Sequence, residues 1–193
     1  MYTEVTPTPL VPLSADERRA LLRLARDSIR AALRGEQPPA ADALTAALCE
    51  PTAVFVSLHL AQRLRGCLGT LVAERPLHEA VTHVARAAAF EDRRFPPLTE
   101  AELTALAIEI SRLSPLAQAF SEQVRPGSHG VCLRCGDRSA VFLPQVATQY
   151  GWDRQMLLSE LCRKAMLPPD AWKRSDASLE IFTAEVFSDD VER

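Results

Sequence analysis

The stretch Val54–Thr70, VFVSLHLAQRLRGCLGT, decides the fold because it holds two strand patterns separated by only a few residues. Apolar residues recur at every second position from Val54 to Leu60, which is the period of a half-buried strand. The segment LRGCLGT at 64–70 follows closely, so the pair predicts an antiparallel β-hairpin. Its two glycines are unusual, because glycine weakens a strand and has no side chain to pack. The segment therefore holds either a functional site or a close approach of backbone.

A three-residue link at 61–63 gives this hairpin its best pattern, better than a two-residue link. It places Leu60 opposite Leu64 and Val56 opposite Leu68, so that one face is apolar. The other face then has these pairs: His59 opposite Arg65, Ser57 opposite Cys67, and Phe55 opposite Gly69. The register therefore predicts one surface with a histidine, an arginine, a hydroxyl and a thiol.

The rest of the chain alternates between helical and strand patterns and has no internal repeat. The predicted elements are a helix from the capping box Ser14–Glu17 to Gly35, a helix opened by Pro76, a short helix with a capping box at Thr99 and Glu102, a strand at 106–114, a hairpin turning at Gly136–Asp137, a helix capped by Asp153, and a last strand at 179–187. Residues 114–129 are predicted to be irregular, and residues 1–13 to form a flexible N-terminal arm. This mixture predicts an α+β fold with mostly antiparallel sheets and flanking helices.

Composition narrows the classes of function. The net charge is −3 over 193 residues, so the basic footprint of a nucleic-acid-binding protein is missing. No apolar run is long enough to span a membrane, and the first residues do not resemble a secretory signal. The five cysteines are odd in number and scattered, which is typical of reduced thiols and predicts a cytoplasmic protein.

The predicted hairpin surface contains the main candidate residues. Cys67 is a candidate nucleophile with His59 as its base, although a free cysteine also commonly fills apolar space. Arg65, flanked by Gly66 and with Gly69 nearby, is a candidate for binding a carboxylate or phosphate, together with Ser57. The structural alternative is that Arg65 forms an ion pair with Asp92 or Glu109.

Two further segments are candidates. His129 in the segment GSHG is a candidate acid, base or ligand, or else a residue that ties down a loop. Asp92 and Arg94 are candidates for contacting a ligand in a groove, or else a mainly structural pair. Cys132 and Cys135 have zinc-ligand spacing but no second pair, so no metal site and no cofactor are expected. His78 and His83 are expected to be surface residues of a helix.

Seven blocks in order carry a resemblance to a known family: LRGCLGTL, AAAFEDRRFPPLTEAEL, LAIEISRLSPL, GSHGV, FLPQVATQYGWD, LCRKAML and FTAEVF. From about Leu13 to Phe187 the chain resembles the AMMECR family, whose bacterial members are called AmmeMemoRadiSam system protein A. Arg93 departs from the family pattern, which usually has proline there, and Cys132 and Cys135 stand where no cysteine is typical.

The resemblance implies a single domain over residues 14–189 with two lobes, the larger from both chain ends and the smaller from the middle. It also implies a groove between the lobes near the Arg-Gly-Cys block. A Memo-like protein and a radical SAM protein are the partners that it implies. Enzyme, ligand-binding and scaffold roles all remain open for such a protein.

The candidate residues and the resemblance together predict a protein that binds a small anionic molecule or a peptide in the implied groove. This protein is expected to act with the two implied partners. A non-catalytic interaction module is the alternative, and a nucleic-acid-associated regulator is the weaker one because the chain is acidic. Whether the protein catalyses a reaction is left open.

Overall fold

The computed structural model describes residues 6–41 and 44–189, and its architecture is α+β, as the sequence predicts. Within these ranges the helices are α1 (Ala15–Leu33), α2 (Ala46–Cys49), α3 (Leu77–Phe90), α4 (Glu100–Leu103), α5 (Pro144–Tyr150) and α6 (Arg154–Lys164). The strands are β1 (Val54–Leu60), β2 (Arg63–Thr70), β3 (Ala107–Leu113), β4 (Ala117–Ala119), β5 (Gly130–Cys135), β6 (Arg138–Phe142), β7 (Ala177–Phe182) and β8 (Ala184–Ser188). They form two four-stranded sheets with the orders β2-β1-β3-β8 and β4-β7-β5-β6.

The chain divides into two compact units. The terminal unit consists of Val11–Leu113 and Glu185–Arg193, and the central unit consists of Met1–Leu10 and Ser114–Ala184. Helices α1 to α4 and the first sheet belong to the terminal unit, whereas α5, α6 and the second sheet belong to the central unit. Within the described ranges, no helix combines the length and the apolar character that crossing a membrane requires.

The core of the terminal unit lies between its helices and one face of the first sheet. Leu21 and Ile29 of α1, Val81 of α3, and Leu58 and Ile110 of the sheet are almost completely buried there. The predicted capping box at the start of α1 is confirmed, because the Ser14 hydroxyl accepts from the Glu17 N–H and the Glu17 carboxylate accepts from the Ser14 N–H. Local capping and the 3.6-residue period therefore place α1 correctly.

The part of the predicted N-terminal arm nearest the first helix contacts the terminal unit. The backbone carbonyl of Val11 accepts from Arg112 Nη1 at 2.9 Å, and the N–H of Leu13 donates to Glu185 at 3.0 Å. Leu13 is buried in the core. Residues 1–5 of the predicted arm lie outside the described residues.

The predicted last strand at 179–187 is wrong in one respect, because it is two strands in two different sheets. Thr183 separates β7, in the second sheet, from β8, in the first. Thr183 exchanges two hydrogen bonds with Ser114: its carbonyl accepts from the Ser114 N–H, and its N–H donates to the Ser114 hydroxyl. These bonds fix the chain where it passes from one sheet to the other, and a period-2 pattern cannot reveal such a change.

Residues 114–129 are also less irregular than predicted. They contain the short strand β4 and a 3-10 helix at Ser121–Gln123. Strand β4 pairs with β7 over three residues, which is too short for a period to appear in the sequence.

The β1–β2 hairpin confirms part of the predicted register and corrects the rest. The pairs Phe55–Gly69, Val56–Leu68 and Ser57–Cys67 are as predicted. Near the turn, however, Leu60 pairs with Arg63, and His59 pairs with Leu64 instead of Arg65. The predicted three-residue link is therefore wrong.

A two-residue turn followed by a bulge explains this difference. Ala61 and Gln62 have φ values of 47° and 64°, which is the left-handed pair of a two-residue hairpin turn. The register then shifts between Leu58 and His59, and Arg65 is the extra residue of β2. Such a bulge bends the strand and redirects a side chain. As a result, Arg65 does not lie opposite His59, as the sequence predicts, but has no paired residue on β1.

Candidate functional site at the edge of β2

Strand β2 is the edge strand of the first sheet, and a short acidic–basic pair covers its open side. We call Ser57, Arg65, Cys67, Asp92 and Arg94 the β2-edge site. The Cys67 N–H donates to Asp92 Oδ2 at 2.9 Å, and the Cys67 carbonyl accepts from Arg94 Nη2 at 3.1 Å. A neighbouring strand would supply one acceptor and one donor in the same way. The pair therefore satisfies the outward backbone groups of Cys67 at the centre of an edge strand, where another chain could otherwise pair.

The Asp92–Arg94 pair is held by its own fork of hydrogen bonds. Arg94 Nε donates to Oδ1 of Asp92 at 2.9 Å, and Arg94 Nη2 donates to Oδ2 at 2.7 Å. Asp92 is only 6% exposed, whereas 59% of the Arg94 side chain is exposed. The bonds from Arg94, helped by the Cys67 N–H, outweigh burial and lower the pKa of Asp92 to about 2. Asp92 is therefore a fixed anion at neutral pH.

Arg65 forms a second forked ion pair, with a partner that the sequence did not suggest. Its Nε donates to Glu102 Oε1 at 2.7 Å, and its Nη2 donates to Oε2 at 3.2 Å. The expected structural partners, Asp92 and Glu109, are thus replaced by Glu102 of α4. The hydrogen bonds from Arg65 lower the pKa of Glu102 to about 2. Only 12% of the Arg65 side chain is exposed, and its Nη2 also donates to the Pro97 carbonyl at 3.3 Å.

The two glycines of this segment each have a close neighbour in the terminal unit. A Cβ on Gly66 would lie 2.3 Å from the carbonyl oxygen of Ala88, so Gly66 lets the backbone of α3 approach β2. A Cβ on Gly69 would lie 2.2 Å from Cγ of Phe55, whose ring covers the glycine. Close approach of backbone and ring therefore explains both glycines without a ligand.

The Cys67 thiol has two described polar neighbours, the Ser57 hydroxyl and the guanidinium of Arg94, whose pKa is raised by Asp92 and in part by this cysteine. The Ser57 hydroxyl donates to Cys67 Sγ at 3.3 Å, as expected from their paired positions. His59 lies two residues further along β1, next to the bulge, and pairs with Leu64 and with Ala107 of β3. Among residues 6–41 and 44–189, no hydrogen bond joins His59 to Cys67. The histidine needed for a Cys–His pair is therefore on the same strand as Ser57 but is not engaged with the thiol.

His129 belongs to the central unit, whereas the β2-edge site belongs to the terminal unit. The ring Nδ1 of His129 accepts from the backbone N–H of Arg125 at 3.3 Å, and the backbone N–H of His129 donates to the Arg125 carbonyl at 2.8 Å. Burial and the charge of Arg125 lower the pKa of His129 below its usual value. The histidine is thus held neutral while it fastens the loop at 125–129. In the described part of the chain, no group of three metal-ligating side chains is placed to hold an ion.

Sequence reasoning missed Glu102 as a member of this region. The sequence predicts a capping box at Thr99 and Glu102, and the Thr99 N–H does donate to Glu102 Oε2 at 2.8 Å. The same carboxylate also binds Arg65, a second task that capping alone does not indicate. Glu109, the other residue considered, lies opposite Ser57 on β3. A carboxylate with two tasks can be found only when the tertiary neighbours are known.

The fold and this site define a class: an α+β protein with two antiparallel sheets, in which an Arg-Gly-Cys edge strand is covered by an Asp–Arg pair. The family model AMMECR1 matches residues 22–187. The chain belongs to the AMMECR1 family, as the resemblance of its seven blocks predicts.

Relatives from archaea share most of the chain. Protein MK0488 of Methanopyrus kandleri is 37% identical over 193 residues, covering 92% of this chain and 91% of its own. A protein of Methanothermobacter thermautotrophicus is 36% identical over 187 residues, covering 93% and 97%. The crystal structure of the uncharacterized protein PH0010 of Pyrococcus horikoshii matches with a TM-score of 0.85 at 34% identity, covering 90% of this chain and 92% of that chain.

Proposed function

We propose that this protein binds a small anionic molecule, or the anionic group of a peptide, at the β2-edge site. The observation that carries this proposal is that the Arg94 guanidinium is held in place by hydrogen bonds but is still largely exposed. Asp92 and the Cys67 carbonyl fix its Nε and Nη2, yet 59% of the side chain is exposed. Within the described residues its Nη1 makes no hydrogen bond, so two N–H groups remain for a carboxylate or phosphate.

The Cys67 thiol lies next to this guanidinium, and the Ser57 hydroxyl donates to the thiol. Arg65 acts as a positioning residue, because its bonds to Glu102 attach α4 to the bulge of β2. We propose binding as the primary activity, and chemistry at the Cys67 thiol as secondary to it. His59, which lies on the same strand as Ser57, is the candidate for a proton-transfer role at this site.

We also propose that the protein works in the cytoplasm with a Memo-like protein and a radical SAM protein. Membership in the family supports these partners, since the resemblance implies them. The five free cysteines support a reducing compartment.

A metabolite-capture experiment tests the binding. The immobilised full chain is incubated with a bacterial metabolite extract, and mass spectrometry identifies what is retained by the wild type, Arg94→Ala and Arg93→Ala. Arg93 is an exposed neighbour outside the site and serves as the matched control. We expect anionic metabolites that the wild type and Arg93→Ala retain and Arg94→Ala loses. Equal retention by Arg94→Ala refutes the proposal.

Because Arg94 also covers the edge of β2, a second variant separates binding from folding. Arg94→Lys keeps the positive charge but loses the fork, and circular dichroism shows whether it is folded. We expect a folded Arg94→Lys protein with weaker retention.

The partner proposal and the role of the thiol have their own experiment. The three proteins are co-purified, and activity is measured with the wild type and Cys67→Ser. Unchanged stability together with unchanged activity in Cys67→Ser removes the thiol from the chemistry. Partner binding that survives loss of Arg94 and Cys67 favours a scaffold.

A further inference from the structure

The outward side of α3 borders a cavity that shares no residue with the β2-edge site. Its volume is about 670 Å³, which suits a small-molecule ligand. Helix α3 contributes five polar side chains: His78, Glu79, Thr82, His83 and Arg86. At about 100° per residue these positions occupy an arc of about 140°, which is one side of the helix. Pro38, Pro39, Ala40, Ala41 and Leu44 form an apolar wall, with Arg75 beside it. We call this cavity the α3 cleft.

The two arginines of the α3 cleft, Arg75 and Arg86, differ in their ion pairing from the two arginines of the β2-edge site. Arg65 and Arg94 each grip a carboxylate through two nitrogens. In the parts of the chain that the structure describes, Arg75 and Arg86 have no ion-pair partner. Arg86 is half-buried, and withdrawing an unpaired charge from water is unfavourable. An anion in the cleft would offset that cost.

Three of the other polar side chains of the α3 cleft, those of His78, Glu79 and Thr82, already have described partners. The ring Nδ1 of His78 lies 2.9 Å from the Leu48 carbonyl, to which it donates, and the Thr82 hydroxyl donates to the His78 carbonyl at 2.9 Å. Glu79 Oε1 lies 3.9 Å from His78 Nε2, so its nearest described basic group is a histidine and not an arginine. Glu91 is exposed at the rim. Among the described residues, the basic groups of this wall without a side-chain partner are therefore Arg75, Arg86 and His83.

A smaller cavity of about 270 Å³ adjoins the α3 cleft through Arg75 and His83, which line both. Its walls combine the apolar side chains of Leu68, Val72, Ala80, Val84 and Ala87 with the polar side chains of Thr70 and Glu74. Arg75 thus lies between the proline–alanine wall of the α3 cleft and the apolar side chains of this smaller cavity, which also holds the carboxylate of Glu74. A ligand with an anionic group next to an apolar body matches that arrangement.

We propose that the α3 cleft binds a small molecule that carries a carboxylate or phosphate on an apolar body. The anionic group pairs with Arg75 and Arg86 through forked hydrogen bonds. The apolar body lies against Pro38–Ala41. This site does not depend on the function proposed for the β2-edge site, and a ligand at one needs no residue of the other.

Calorimetric titration of the full chain with three simple compounds tests this proposal. Phenyl phosphate and phenylacetate carry the two anionic groups on the same ring, and benzyl alcohol is the neutral counterpart. Each is titrated into the wild type, Arg75→Gln, Arg86→Gln and the control Arg63→Gln. Arg63 is an exposed arginine of β2 that lies outside both cavities. Circular dichroism confirms that each variant is folded.

We expect saturable binding of at least one anionic compound, about tenfold weaker in Arg75→Gln and in Arg86→Gln and unchanged in Arg63→Gln. Tighter binding of phenyl phosphate indicates a phosphorylated ligand, and tighter binding of phenylacetate indicates a carboxylic acid. The proposal is overturned if neither anion binds, if benzyl alcohol binds equally well, or if Arg63→Gln weakens binding as much as the cleft variants. If a cleft variant does not fold, amide chemical-shift changes along α3 of the wild type replace it, and their absence also overturns the proposal.

Discussion

Replacing Asp92 by asparagine removes the charge that covers the edge of β2, and we expect it to destabilise the terminal unit by about 2–3 kcal/mol. Asparagine keeps one acceptor but replaces the other with an NH2 group. That group then faces either Arg94 Nε at the Oδ1 position, or both the Cys67 N–H and Arg94 Nη2 at the Oδ2 position, and all of these are donors. At least one buried donor is left without an acceptor as a result.

The magnitude follows from the pKa of Asp92. Its fall from 3.8 to about 2 in the folded protein corresponds to about 2.4 kcal/mol at neutral pH, at about 1.36 kcal/mol for each pKa unit. Asp92 is 6% exposed, so solvent screens this carboxylate little. Arg94 is 59% exposed and regains water when its partner is lost, which keeps the cost below that of breaking a fully buried pair.

The lowered pKa of Asp92 also determines how the stability of the terminal unit depends on pH. Because the pKa of Asp92 is lower in the folded than in the unfolded chain, its contribution is complete above about pH 4. It is lost as the pH falls towards 2, where the folded carboxyl also takes up a proton. We therefore expect the difference between wild type and Asp92→Asn to be constant from pH 5 to 7 and to shrink below about pH 4. Glu102 titrates in the same window but is present in both proteins, so its effect cancels.

Both tryptophans, Trp152 and Trp172, lie in the central unit, so tryptophan fluorescence does not follow this change. Hydrogen exchange at the Cys67 amide reports it directly, and urea unfolding followed by far-UV circular dichroism gives its free energy. Glu91→Gln, an equal change of charge at the exposed neighbour, is the control, with an expected effect under about 0.5 kcal/mol. A loss of less than about 0.5 kcal/mol in Asp92→Asn, with unchanged Cys67 exchange, would falsify this account of the edge.

Three further predictions concern groups in both units. We expect Gly66→Ala to lower the free energy of unfolding by about 2–3 kcal/mol and Gly69→Ala to lower it by about 1 kcal/mol. The reason is that the new Cβ meets the backbone of Ala88 in the first variant but only the movable ring of Phe55 in the second. Equal losses of stability in urea unfolding contradict this prediction. Arg65→Lys should cost about 1 kcal/mol by removing the fork to Glu102, and a lysine variant as stable as the wild type shows that the fork contributes nothing. Since the pKa of His129 is lower in the folded than in the unfolded chain, the stability of the central unit should fall as the pH drops below about 6.5. His129→Gln should flatten that dependence in tryptophan fluorescence, and an unchanged slope assigns it to another group.

The sequence predicts best where a structure depends on near neighbours. The capping residues Ser14 and Asp153 mark their helices correctly, because the bonds that they make lie within one helical turn. The turn at Gly136–Asp137 is equally local, since Gly136 supplies the positive φ. The conformation of such elements is determined by a few adjacent residues, so the sequence alone predicts it.

The hairpin register shows where local reasoning stops. Ala61–Gln62 is not a typical sequence for a turn with two left-handed residues, so a longer link looked better. The bulge at Arg65 restores the apolar pairing further along the strand, which is why the pairs around Cys67 were still right. The choice among Asp92, Glu102 and Glu109 as the partner of Arg65 depends on where separate elements pack. No spacing within the chain encodes that choice.

The block Arg65–Gly69 consists of attachments between β2 and its surroundings. Gly66 admits the backbone of α3, and that close approach brings the end of α3 to the strand edge, where Asp92 meets the Cys67 N–H. Arg65 attaches α4 at the bulge, and Gly69 is covered by a ring. A variant that loses activity after a change at Gly66 or Asp92 is therefore no evidence for chemistry until its stability is known.

Two groups of the β2-edge site have no part in these attachments and are available for function: the Cys67 sulfur and Nη1 of Arg94. Arg94→Lys and Cys67→Ser change these groups while leaving the carboxylate of Asp92 in place, and for that reason they test function more directly than any other change in the block. Binding lost in a folded Arg94→Lys protein assigns recognition to the guanidinium. Activity lost in a stable Cys67→Ser protein that still binds assigns the reaction to the sulfur.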